Sequence, residues 1–450
     1  MLSFIINHSP LLYFVQSLWR DEAFSILVAE RPIATFITKL TFEPPVYYTT
    51  LHYWIKIFGD SEIAVRSLSF ISFAVACFVV IEWASILFKK SWLSFYLPLL
   101  FFANPMLIYY AFEVRTYGMY IMFATVSLFA YQQKRWKLFT AATILGFYTH
   151  TYFIFLFASL VIHFLVINRK LITTKRWLTK SVSDPAVKAI AISILGIAPW
   201  MIRVLIESSK LKNSWYYPVD LHLIQSVLGN MFVGYEGTPW FLWGFTAFLS
   251  LILCIFCVIS IIPAKTRQRN GLFLLAIFIP LGIVLGVSFI KPLFVNRYLI
   301  PVTIGLVFTI VFALETIKNK YIQVLCAIVI LGGEIWFNTW YPLQHKKVPI
   351  RDTIAQINIL KNSADVVYAT NPLVLFETMY YSHPRNGVYL YNPSQSAFPW
   401  YVGDAAFSSS LLAVDIPLYP KRAFLVNPDG TFSISYQLPK PATIQKPREQ

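Results

Sequence analysis

Apolar residues run through this chain in long stretches that neither alternate nor form a stripe, separated by short polar segments. Stretches of about 17 to 25 such residues are long enough to carry a helix across roughly 30 Å of hydrocarbon. Apolar stretches of 13 to 26 residues fall at 2–18, 63–88, 92–110, 117–131, 137–149, 152–167, 188–206, 239–262, 271–290, 298–316 and 321–340. Inside lipid a backbone closes its hydrogen bonds in a helix or in a sealed barrel, and the lack of period-two alternation argues against barrel strands. The pattern therefore predicts a mostly α, polytopic membrane bundle of about eleven spans. Asn7, His8, Pro10 and Gln16 interrupt the first stretch, which reads either as part of a longer native helix or as a re-entrant segment. No small-residue cleavage site follows it, so it does not read as a cleaved signal peptide.

Two regions break the pattern. Segment 19–62 is long for a simple connection, and 34–40 and 46–58 each carry apolar residues at helical spacing around Glu43-Pro44-Pro45. Two short helices along the membrane surface are expected, with Tyr47, Tyr48, Tyr53 and Trp54 suited to the interface. Beyond about residue 340 the apolar runs shorten and Pro, Asn and Ser rise. Ile350, Ile354, Ile357 and Leu360 make a helical stripe; 365–370 reads as a strand, 372–381 as a helix and 387–391 as a strand. Asn427-Pro428-Asp429-Gly430 between apolar stretches reads as a hairpin turn. The expected organisation is a transmembrane domain over 1–344 with an outer loop 19–62, then a small α/β domain over 345–450.

Composition agrees with a membrane protein: 57% hydrophobic and only 13% charged over 450 residues. The net charge of +16 has a topological explanation rather than a nucleic-acid one. Lys89-Lys90, Lys134-Arg135 with Lys137, Arg169-Lys170 through Lys175-Arg176 and Lys180, Lys265, Arg267, Arg269, Lys318 and Lys320 occupy one set of alternate loops, which are read as cytoplasmic. The opposite set holds Asp21, Glu22, Glu30, Glu43, Asp60, Glu62, Glu113, Glu207, Asp220 and Glu236. On this reading the Asp21 loop and the C-terminal domain are extracytoplasmic. Cys77, Cys254, Cys257 and Cys326 all lie in apolar spans, so no disulfide framework or metal knuckle follows, and the C-x-x-C at 254–257 reads as packing.

An ordered set of motifs carries a resemblance. Trp19-Arg20-Asp21-Glu22-Ala23, Phe42-Glu43-Pro44-Pro45-Val46-Tyr47-Tyr48, Leu51-His52-Tyr53-Trp54 and Phe58-Gly59-Asp60-Ser61-Glu62 with Arg66 look like the first outer loop of GT-C glycosyltransferases. Asn104-Pro105, Tyr110 to Tyr117, Tyr148-Thr149-His150 and Arg297-Tyr298-Leu299 with Pro301 extend the match. The chain resembles the branch of the protein O-mannosyltransferases and the aminoarabinose transferase of lipid A. This implies a polyprenyl-phosphate-linked sugar as donor, displayed at the outer face, and a lipid, glycan or protein hydroxyl as acceptor.

A sugar hydroxyl is a poor nucleophile and needs a base within hydrogen-bond reach. Asp21 is the expected base, and attack opposite the leaving phosphate would invert the anomeric centre, as in similar enzymes. Asp21 and Glu22 also suit the first turn of a helix, and neighbours on a helix point about 100° apart, so Glu22 is expected to orient Asp21 or bind acceptor. Arg115 is expected to hold the leaving phosphate or a site carboxylate, with Glu113 fixing its pose and Tyr117 beside it. Arg297-Tyr298, near Lys291, would clamp charge growing on the phosphate; the other reading is snorkelling to headgroups. Glu43, His52 and His150 complete the candidate substrate site. Relatives carry a His or Glu near the Pro-containing segment, in some cases with a divalent metal. Here His52, His150 and His222 offer imidazoles without tight ligand spacing, so no metal ligand is assigned while a divalent metal stays an open alternative as cofactor. The rival reading is a polytopic transporter or flippase, which should show inverted repeats or paired interrupted helices; neither is found.

Overall fold

The computed structural model describes residues 2–169, 183–210, 218–234, 240–396 and 405–439. Lys170, Lys175, Arg176, Lys180 and Glu236 lie outside these residues. The chain forms two compact units, one of Met1–Val15 with Leu40–His345 and the other of Gln16–Lys39 with Lys346–Gln450. Residues 19–39, which the sequence places in the outer loop, and 16–18, placed at the end of the first stretch, thus fold with the C-terminal residues.

The first unit is helical. Among the described residues, six helices are long and apolar enough to cross a membrane: Glu62–Phe88, Pro185–Ser208, Trp243–Ile261, Arg267–Ser288, Asn296–Thr316 and Lys320–Gln344. A bent pair, Leu93–Ala103 and Pro105–Ala111, turns through 56° and makes up to seven. By length and composition these are fewer than the about eleven spans expected, for two reasons. The first stretch breaks at Pro10 into Leu2–Asn7 and Leu11–Val15, and Tyr117–Gln132, Trp136–Phe147 and Phe153–Ile167 have only 16, 12 and 15 residues. These fall short of the about 20 residues a perpendicular span requires. A helix the sequence reading missed, Leu221–Val233, starts at an Asp220 cap whose carboxylate accepts from Leu223 N–H at 2.7 Å, and ends at left-handed Gly234.

Ile300–Thr316 is buried along almost its whole length and forms the axis of the core. Trp83, fully buried, lies 4.5 Å from Phe308, 5.5 Å from Phe273 and 5.6 Å from Phe129 between ring centroids. The outward face is also apolar, with Phe78, Phe95 and Leu195 more than two thirds exposed. That exposure suits lipid rather than water. At the 56° bend Pro105 opens the second helix, where its missing N–H costs nothing, and Asn104 caps it by accepting from Leu107 N–H at 3.2 Å. The Asn104 amide also donates to Phe232 O and to Glu334, and Asn338 donates to Ala103 O at 2.6 Å, so the Ala103 carbonyl at the bend is held.

The second unit is α/β. Its sheet orders β3 (Leu412–Ala413), β2 (Val388–Tyr391), β1 (Val366–Ala369), β4 (Ala423–Val426) and β5 (Phe432–Ser435). β1 runs parallel to β2 and β4, while β4 and β5 form an antiparallel hairpin. Its turn is the expected one, with Asn427 N–H donating to Thr431 O at 2.9 Å and Gly430 at φ +84°. Ile350–Leu360 buries Ile350, Ile354 and Ile357 of the predicted stripe and leaves Leu360, at its end, exposed. Leu375–Tyr381 packs on Arg20–Ala29, with Phe376 and Phe24 rings 5.2 Å apart.

Candidate functional site

Asp21 and Glu22 lie in the first turn of the helix Arg20–Ala29 in the α/β unit, where carboxylates meet the positive end of the helix dipole. The 100° step between neighbours sends them in different directions. Glu22 is fully buried: its Oε2 accepts from Trp19 N–H at 3.2 Å, closing the start of the helix, and meets Lys347 Nζ at 2.9 Å. Lys347 is buried as well and sits 5.8 Å from the Trp19 ring centre. A buried pair of this kind is fixed by geometry, since neither charge tolerates loss of the other. Asp21 keeps 14% of its side-chain surface exposed and pairs with Arg20 Nη2 at 3.1 Å. Of the two carboxylates it is the more exposed.

The other candidates gather in the helical unit, in turns at the ends of its helices. Pro44 and Pro45 start the helix Pro45–Phe58 and leave Glu43 just ahead of it. Glu43 accepts from the buried Tyr48 hydroxyl on one oxygen and meets Arg115 Nη2 at 2.8 Å on the other. Arg115 lies in the turn 112–116, between Pro105–Ala111 and Tyr117–Gln132, and Ser69 Oγ donates to its carbonyl at 3.3 Å. That contact depends on close approach: a Cβ at Gly118 would collide with the Ser69 backbone. Glu113 shares the turn and is buried, its carbonyl accepting from Arg115 N–H at 2.8 Å. Val46 N–H donates to Tyr148 O at 3.0 Å, joining the Glu43 segment to the turn that carries His150.

His150 is the hub of an aromatic cluster. Its ring stacks on Tyr120 at 4.7 Å and 3°, with Tyr298 at 5.1 Å, Tyr152 at 5.7 Å and Tyr117 at 5.9 Å. Tyr120 hydroxyl donates to Tyr298 O at 3.2 Å, which ties the cluster to the 3-10 turn Asn296–Leu299 bearing Arg297. Tyr152 N–H donates to His150 Nδ1 at 3.2 Å, placing the proton of a neutral ring on Nε2. Burial, then Arg115 and Arg297, push the His150 pKa down to about 3, so the ring is neutral at physiological pH. Two guanidiniums thus act on one imidazole that cannot add a third positive charge.

The structure therefore brings together Glu43, Arg115, Tyr117, His150, Arg297 and Tyr298 within the helical unit, and places Asp21 and Glu22 in the α/β unit. His52 is buried on Pro45–Phe58, edge-on to Tyr53, and His222 packs against Trp243. Lys291 Nζ donates to Ser208 O at 3.2 Å. Among the described residues no three His, Cys, Asp or Glu side chains converge as a metal site, so the donor set does not fit a divalent ion. Sequence reasoning missed Tyr48, Tyr120, Tyr152 and Lys347. Tyr120 lay within reach, one turn after Tyr117 on the same helix face, whereas nothing local couples Lys347 to Glu22.

The chain folds as a bundle with helices of membrane-spanning length and a small mixed sheet. This fold is similar to that of ArnT from Cupriavidus metallidurans. In its apo state ArnT shares 13% identity at a TM-score of 0.59, over 92% of this chain and 91% of that one. ArnT bound to undecaprenyl phosphate shares 14% at 0.58, over 93% and 91%. No family model and no curated protein matches the sequence.

Proposed function

We propose that this protein is a membrane glycosyltransferase that moves a sugar from a polyprenyl-phosphate donor to an acceptor hydroxyl at the extracytoplasmic face. The observation that carries the reading is the cluster of turns in the helical unit, with Arg115 held on Glu43 and the turn bearing Arg297 tied through Tyr298 and Tyr120 to the neutral His150. Guanidiniums present planar forks that match phosphate oxygens, and they are most effective in a site poor in water. A neutral imidazole beside them donates a hydrogen bond without changing the charge. The fold shared with ArnT, one of whose structures holds undecaprenyl phosphate, supports the same ligand class here.

Asp21 takes the proton from the attacking hydroxyl as the bond to the anomeric carbon forms and the bond to the phosphate oxygen breaks. Displacement from the side opposite the phosphate inverts that carbon. Glu22 orients Asp21 by fixing the first helical turn to Lys347. In the helical unit Glu43 and Tyr48 hold Arg115 in place, and Arg297 stabilises the charge that grows on the leaving phosphate. The outward assignment is supported by the order of the turns: Arg115 precedes Tyr117–Gln132, whereas Lys134 and Arg135 follow it and occupy the opposite end.

The test is to reconstitute the full chain in vesicles with a panel of undecaprenyl-phosphate-linked pentoses, hexoses and amino sugars and to measure released undecaprenyl phosphate. Release that depends on added acceptor is expected with at least one donor. Solute or lipid flux across sealed vesicles, with no release from any donor, would replace this reading by a transporter or flippase.

A further inference from the structure

One ionisable group has no part in the chemistry above. Glu377 lies on Leu375–Tyr381, the helix packed against Arg20–Ala29. Leu18 N–H donates to Tyr381 Oη at 2.7 Å, fixing the two elements together just ahead of Asp21. Glu377 is 8% exposed, and its Oε2 is buried without a hydrogen-bond partner. Its helix packs on the one whose first turn carries Arg20 and Asp21, and these two are the charges that act on its carboxyl group. Charged groups on the neighbouring elements are engaged elsewhere: Arg385 with Glu30 and the Tyr380 ring, and Arg351 with Asp352.

We propose that Glu377 is a positioning residue for Asp21: as a neutral acid it leaves Arg20 to Asp21 alone, and once ionised it competes for that guanidinium and repels the Asp21 carboxylate. The reason is the cost of a buried carboxylate with an unbonded oxygen, which must either recruit the nearest cation or open the helix pair. Burial pushes the Glu377 pKa up to about 8, with Asp21 adding to the rise and Arg20 opposing it. Glu377 is therefore protonated at neutral pH and loses its proton just above it. Linkage is reciprocal, so a charge on Asp21 that raises Glu377 implies a charge on Glu377 that raises Asp21 equally. This inference rests on Asp21 being the base.

The test is infrared titration of the full-length chain in detergent, following the protonated-carboxyl band from pH 5 to pH 10. A component with a midpoint near 8 is expected in the parent and should be missing in Glu377→Gln. Asp21→Asn should move that midpoint down and Arg20→Gln should move it up, shifts that a side chain serving only to fill space would not give. In the transfer assay the parent's kcat should fall above about pH 8 at steady KM, and Glu377→Gln should remove that limb. The inference is overturned if no such component exists, or if Asp21→Asn and Arg20→Gln leave its midpoint where it was. Absence of transfer from every donor would refute the proposed function while leaving the infrared result to decide the Asp21–Glu377 coupling.

Discussion

The two units bury charge in different ways. In the helical unit the charged groups sit in turns at helix ends, and aromatic rings fill the space between them: Arg115 is held by Glu43, and His150 is kept neutral by burial and two arginines. In the α/β unit charge lies along the seam of one helix, where Glu22 is locked to Lys347 while Asp21, the next residue, stays partly open. In the first arrangement the charges are held by side chains from separate turns. In the second, one carboxylate anchors the helix and its neighbour keeps 14% of its side chain exposed. The contrast shows why adjacent acids in a motif need not share a role: a 100° step on a helix separates them as effectively as distance does.

The largest expected effect falls on the open carboxylate. Asp21→Asn keeps the shape and removes the base, and sugar transfer should drop by about 10²- to 10⁴-fold with folding intact. Transfer rates of the purified variant, measured beside its thermal unfolding, check this; unchanged turnover would remove Asp21 from the reaction. The locked carboxylate should respond in the opposite manner. Lys347→Met leaves Glu22 buried without its cation, a loss of about 3–5 kcal/mol that appears as a lower unfolding midpoint of the α/β unit. Equal stability would mean that the Glu22 pair anchors nothing.

In the helical unit Gly118→Val should cost about 1–3 kcal/mol, because the side chain must displace the Ser69 backbone that supports the Arg115 turn. Thermal unfolding in detergent measures it. The smallest effect is at Asp365, whose carboxyl is held down at about pH 2 by Arg422, bonded at 2.6 Å. A depressed acid contributes stability above its unfolded value near 3.9 and loses it as pH falls towards 2. Arg422→Gln should therefore lower the stability of the α/β unit at neutral pH, a difference that closes as pH falls towards 2, followed by circular dichroism.

The long apolar runs and the elements of the α/β unit were legible in the sequence, because hydropathy and turn residues act locally. Ile350–Leu360, β1, β2 and the Asn427–Gly430 turn follow the pattern closely. The bend at Asn104-Pro105 was not legible from hydropathy, which weighs apolar character and ignores the cap that ends one helix and starts another. The pairing of Glu43 with Arg115, 72 residues apart, and the folding of residues 16–39 with the C-terminal unit are products of tertiary packing and leave no local trace. The motif residues were visible as a set, whereas the separation of Asp21 and Glu22 into open and locked carboxylates required the helix geometry.

The most direct test of lipid-phosphate recognition is the affinity of the full chain, in lipid nanodiscs, for undecaprenyl phosphate, compared between the parent and Arg297→Ala. A charge-assisted hydrogen bond contributes about 1.5–3 kcal/mol, so binding should weaken by roughly 10- to 100-fold. Equal affinity in the two proteins would contradict the assignment of the arginine–imidazole cluster to the phosphate.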